Sequence, residues 1–143
     1  MLRARFIRFA LALVAFATLA APPTTRAADL AVTASGGLLY EFAAFERRGA
    51  AILENGLFEV RADGCWNANM RVVNANPVPV TVSIWLNFYT PRGNDYTSVP
   101  IARPFVVEPN EMAIINEAGC DGALARAFPY LREYGVRRVF SVR

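Results

Sequence analysis

Residues 78–90 alternate without a break. Val78, Val80, Val82, Ile84, Leu86 and Phe88 take one parity; Pro79, Thr81, Ser83, Trp85, Asn87 and Tyr89 take the other. Successive strand side chains point to opposite faces, so the pattern predicts a strand with one buried face; a helix would scatter the apolar residues all round. Pro79 lies near the start, where a missing N–H is tolerated.

Weaker alternation recurs elsewhere. In residues 57–63, Phe58, Val60 and Ala62 alternate with Glu59, Arg61 and Asp63; in 66–74, Trp66, Ala68, Met70 and Val72 alternate with Asn67, Asn69 and Arg71. Residues 50–54 read as a strand joined to Leu57 by Asn55-Gly56, a strong hairpin-turn signal. Asn74-Ala75-Asn76-Pro77 reads as a second turn, which would make 66–74 and 78–90 antiparallel neighbours. Strands are also expected at 105–107, 111–116 and 136–142, with Pro109-Asn110 turning the chain between the first two. Residues 37–48 suit strand or helix, and strand is the preferred reading.

One stretch departs from the strand pattern. In residues 121–135, Leu124, Ala127, Phe128 and Leu131 fall at helical spacing, with Asp121 placed as an N-cap and Gly135 just past the end. Pro129 cannot sit inside one continuous helix, so two short helical turns, or a helix starting near Pro129, are expected.

Together these elements predict an all-β chain, an antiparallel β-sandwich with a short helical segment near 122–134. Two cysteines with a tryptophan between them resemble an immunoglobulin-like domain in architecture only. Trp85 lies far beyond Cys65 for a strand-C tryptophan, and Ala118 stands where the tyrosine corner would put Tyr. Cys65 is also out of phase with Trp66, Ala68 and Met70, which places any bridge at a sheet end or loop. No family is assigned.

Residues 1–27 read as an address. Arg3, Arg5 and Arg8 precede an apolar run from Phe9 to Leu19, then Pro22-Pro23 and small residues. The run is short for a membrane span, which needs about 20 apolar residues. A cleaved signal peptide is expected, cut after Ala27 or, alternatively, after Ala20; an uncleaved anchor is the competing reading. That leaves 28–143 as a single domain, exported to the periplasm or the extracellular space, with no stable membrane span after cleavage. Within an oxidising compartment Cys65 and Cys120 are expected to pair.

Composition narrows the chemistry. The 143 residues are 55% hydrophobic and 19% charged, enough apolar content for one core and unlike a disordered chain. There is no His, and every one of the 15 cationic side chains is Arg. Ser-His-Asp and Cys-His catalysis, a His-bearing zinc site and a P-loop lysine are therefore excluded. The formal charge of +3 invites a nucleic-acid reading. However, four arginines (Arg3, Arg5, Arg8, Arg26) and no acid lie in the leading segment, so the remainder holds one more acid than arginines. No nucleic-acid partner is expected. The pairs Arg47-Arg48 and Arg137-Arg138 read as solvated or salt-bridged surface. Met70 and Met112 read as packing rather than copper ligands, and no metal or cofactor is expected.

Three functions fit, none involving strong catalytic machinery. The first is a non-enzymatic exported binding or accessory domain docking a protein, peptide or glycan. Its surface would be the strand row Trp85, Asn87 and Tyr89, continued by Arg92, Asn94, Asp95 and Tyr96 in the following loop; the plainer alternative is that Trp85 and Tyr89 are core under the helical segment or another strand. The second is a structural or assembly component pairing through a sheet edge. The third is a carboxylate-based hydrolase drawing on Glu108, Glu111, Glu117 or Asp121, for which no spacing motif speaks.

Overall fold

A computed structural model describes residues 28–143. The signal-peptide reading of 1–27 and its cleavage position lie outside the described residues. The elements are β1 (Asp29–Val32), β2 (Leu38–Phe42), β3 (Glu46–Arg48), β4 (Ala51–Val60), β5 (Cys65–Asn74), β6 (Val80–Tyr89), β7 (Asp95–Val107) and β8 (Met112–Cys120), then α1 (Gly122–Ala127), a 3-10 turn (Phe128–Glu133) and β9 (Gly135–Val142).

Two antiparallel sheets face each other, as expected of a β-sandwich. The larger runs β1-β2-β4-β5-β8, with β3 also pairing β4; the smaller runs β7-β6-β9. Their inner faces share one core, centred on Phe58, Met70 and Val72 from the large sheet and Ile84, Leu86, Phe88 and Phe140 from the small one. Within β6 the predicted parity holds: Val80, Val82, Ile84, Leu86 and Phe88 are buried, while Trp85, Asn87 and Tyr89 are half-buried.

Two connections differ from the sequence expectation. Asn55-Gly56 is not a hairpin turn; β4 runs straight through it with a bulge between Leu53 and Gly56. The extra residue switches the buried parity from Ala51 and Leu53 to Phe58 and Val60. Glycine is required there by close approach, because a Cβ at Gly56 would meet Met70 Cγ at 2.6 Å and the Asn69 carbonyl at 3.2 Å.

Nor are β5 and β6 hairpin partners. β5 pairs β4 and β8, while β6 pairs β7 and β9, so residues 74–79 cross from one sheet to the other. The turn at Pro109-Asn110 likewise carries the chain from β7 back to the large sheet. Asn74, fully buried, holds both crossings: its Nδ2 donates to the carbonyls of Val78 and Val107 at 3.0 Å and of Glu108 at 3.2 Å.

β7 is far longer than the expected 105–107, and Asp95 and Tyr96 belong to it rather than to a loop. Pro100 and Pro104 and repeated register shifts against β6 break its alternation. Both prolines are tolerated because β7 is an edge strand.

The helical segment forms as two short pieces, as expected around Pro129. Asp121 caps α1, accepting from the N–H groups of Ala123 at 2.7 Å and Leu124 at 3.2 Å. Gly135 follows the C-cap Tyr134, just past the helical segment as expected, and opens β9 without a positive φ. Leu124, Ala127 and Leu131 are buried, and the Tyr40 hydroxyl donates to the Leu131 carbonyl at 3.4 Å. Burial raises the Tyr40 pKa well above the usual phenol range.

Cys65 and Cys120 form a disulfide between directly paired residues of neighbouring strands β5 and β8. It lies at the end of one sheet, not across the sandwich. That is a further departure from the immunoglobulin arrangement.

Arg138 corrects the reading of Arg137-Arg138 as surface. Arg137 is exposed, but Arg138 is 5% exposed and lies between the sheets. Burial lowers its pKa, opposed by the hydrogen bond and charge of Glu46. Met112 corrects the packing reading from the other side: Met70 is core, but Met112 is exposed.

Candidate functional site

The outer face of the small sheet is built around β6. Residues directly opposite each other in an antiparallel pair share a face. Trp85 is therefore flanked by Val139 on β9 and Pro100 on β7. Next along the strand, Asn87 is flanked by Arg137 and Ser98, and Tyr89 by Gly135 and Asp95. An apolar row, Pro100-Trp85-Val139, thus adjoins a polar row, Ser98-Asn87-Arg137.

The side chains follow from this register. The Ser98 hydroxyl donates to Asn87 Oδ1 at 2.7 Å, fixing the amide. Tyr89 lies against Gly135, where a Cβ would be 3.7 Å from the Tyr89 Cβ and 4.0 Å from a ring carbon. Asn87, Tyr89, Asp95 and Ser98 line a shallow recess of about 330 Å³.

The remaining candidates divide. Arg92 and Asn94 are exposed in the β6–β7 turn, where Thr90 and Asn94 exchange backbone and hydroxyl hydrogen bonds and Gly93 takes a φ of 83°. Asp95 joins the row opposite Tyr89. Tyr96 leaves it: its hydroxyl donates to the Ala123 carbonyl at 2.7 Å and its ring packs edge-on against Tyr134. Tyr96 seats the helical segment at the end of the sandwich, so the segment does not roof Trp85.

Ser98, Pro100, Arg137 and Val139 complete the face; the sequence marks Arg137 only as surface and does not point to the other three. Their proximity depends on strand order, which local alternation does not encode. The one available signal was parity, since Arg137 and Val139 alternate with the core residues Val136 and Phe140.

A second recess opens at one side of the sandwich, between β7 and β8. It measures about 670 Å³ and is lined by Trp66, Ile101, Phe105, Ala113, Ile114 and Ile115, among others, with Arg103 and Glu117 at its charged positions. Each recess holds one carboxylate, Asp95 or Glu117, so neither offers the carboxylate pair that glycoside hydrolysis uses. Among the described residues no group of His, Cys, Asp and Glu is arranged to hold a metal ion. No helix there is long and apolar enough to cross a membrane.

Compared with known proteins, the chain matches no protein-family model, no curated protein and no solved structure.

Proposed function

We propose that this chain is a small exported, non-enzymatic binding domain that docks a protein, peptide or glycan on the outer face of its three-stranded sheet. The observation that carries the reading is the partly exposed Trp85 at the centre of that face, with apolar flanks and the polar row Ser98-Asn87-Arg137 beside it. A flat aromatic surface supplies contact area at little entropic cost, and adjacent amide, hydroxyl and guanidinium groups supply direction.

Export is supported by the charged and apolar leader pattern and by the Cys65–Cys120 disulfide, a bond that persists in oxidising compartments. Calorimetric titration of the disulfide-bonded domain against soluble oligosaccharides and extended peptides tests the reading. Saturable binding that weakens in Trp85→Ala is expected. Binding unaffected by Trp85→Ala would overturn it.

A further inference from the structure

Among the described residues five strands edge the two sheets, and they are not equally protected. β1 and β3 are only four and three residues long. β9 is held on the large-sheet side by Arg138, which reaches Ala44, Glu46 and Glu54. β7 is interrupted by Pro100, Pro104 and its register shifts, devices that blunt an edge. β8 has nine residues, no proline and no bulge against β5, and its sole charge is Glu117.

Among the described residues no strand pairs with the side of β8 away from β5, and that side carries the backbone groups that a further strand needs. The Cα atoms of Cys65 and Cys120 are 3.8 Å apart, the close spacing of a non-hydrogen-bonded pair. Alternation then turns the N–H and C=O groups of Ile114, Asn116 and Ala118 away from β5 and towards the open edge. Two exposed apolar side chains lie along this edge: Met112 is 51% and Ile114 66% exposed.

We propose that β8 is the pairing edge of a symmetric homodimer, in which two copies join β8 antiparallel about a two-fold axis at Ile115 and extend the large sheet across both. The occupant is a second copy because the strand is complementary to itself in this register. Ile115 faces the second copy's Ile115, Ile114 faces its Asn116, Met112 its Ala118 and Ala113 its Glu117. No like charges are opposed, and the outward backbone groups of Ile114 and Asn116 meet. Ile115 and Ala113 also line the recess between β7 and β8, so the second copy's β8 would lie along its mouth. This dimer uses a different surface from the Trp85 face and stands or falls without it.

Sedimentation equilibrium over micromolar to millimolar concentrations tests the proposal on the disulfide-bonded domain. Expected is a mass rising towards twice the monomer. Ile114 and Asn116 are both exposed, so charging them spares the monomer's core. The double variant Ile114→Glu/Asn116→Glu is expected to stay monomeric, because it sets carboxylates opposite one another. Ile114→Lys/Asn116→Lys is expected to do the same, and mixing the two is expected to restore a heterodimer. A native domain that remains monomeric throughout would overturn the proposal. So would charged variants that dimerise like the native chain, or a mixture that stays monomeric.

Discussion

Arg138 on β9 donates from Nη1 to the backbone carbonyl of Glu54 on β4 at 2.8 Å, joining the small sheet to the large one at the β4 bulge. Where β4 slips against β5, a backbone carbonyl loses its regular ladder partner, and the guanidinium supplies one. The same group reaches the Ala44 carbonyl at 2.7 Å and Glu46 at 3.1 Å, and lies over the Phe42 ring. Gly56 leaves it room.

Replacing Arg138 with Met therefore strands buried acceptors and leaves Glu46 without its partner. Urea unfolding of Arg138→Met is expected to show a loss of about 3 kcal/mol, since hydrogen bonds to charged groups contribute about 1.5–3 kcal/mol each. Lysine is not expected to rescue it, because one ammonium cannot reproduce the planar fork.

Asn74 governs both crossings between the sheets. Asn74→Ala removes the donor that the Val107 and Glu108 carbonyls share, and is expected to destabilise the domain by about 2–3 kcal/mol in thermal or urea melts. Asn74→Asp is expected to be no better, since a carboxylate cannot donate.

The disulfide closes a separation of 55 residues. In the chain-entropy model that contributes about 4 kcal/mol. Unfolding of the Cys65→Ala/Cys120→Ala double variant is expected to show a loss of that order, while the spectroscopic signature of the β-sandwich persists at low temperature.

Tyr40 links stability to alkaline pH. Its hydroxyl ionises near pH 10 when unfolded, but burial holds it protonated to higher pH in the fold. Above pH 10 the unfolded chain thus binds fewer protons than the native one, so stability falls as pH rises; below pH 10 this contribution is intact. A steeper alkaline loss in the native domain than in Tyr40→Phe is the expected result of pH-dependent melting.

The two tryptophans are expected to behave oppositely. Trp66 is 8% exposed, and its ring covers Gly119 on β8, so Trp66→Ala is expected to cost about 3–5 kcal/mol of stability. Trp85 is partly exposed on the outer face, so Trp85→Ala is expected to cost less stability and to weaken binding instead, by roughly tenfold or more.

Legibility in the sequence followed local periodicity. β6 was plain because one parity is apolar from Val78 to Phe88, and Asp121 announced α1 by its cap chemistry. The β4 bulge was misread because Asn55-Gly56 separates two alternations out of phase by one residue, and a turn and a bulge both produce that pattern. β7 was mostly invisible because its prolines and register shifts erase alternation. For the site, the Trp85-Asn87-Tyr89 row could be read from one strand. Arg137, Val139, Ser98 and Pro100 could not, because long-range pairing brings them in. Arg138 looked like surface because burial of an arginine depends on the carbonyls waiting for it.

Chemical-shift mapping of the isotopically labelled domain, titrated with soluble oligosaccharides and extended peptides, tests the binding face most directly. Ligand-induced shifts are expected to cluster at Trp85, Asn87, Tyr89, Ser98 and Arg137 and to be lost in Trp85→Ala. Shifts confined to other surfaces, or retained in full by Trp85→Ala, would rule out this binding face.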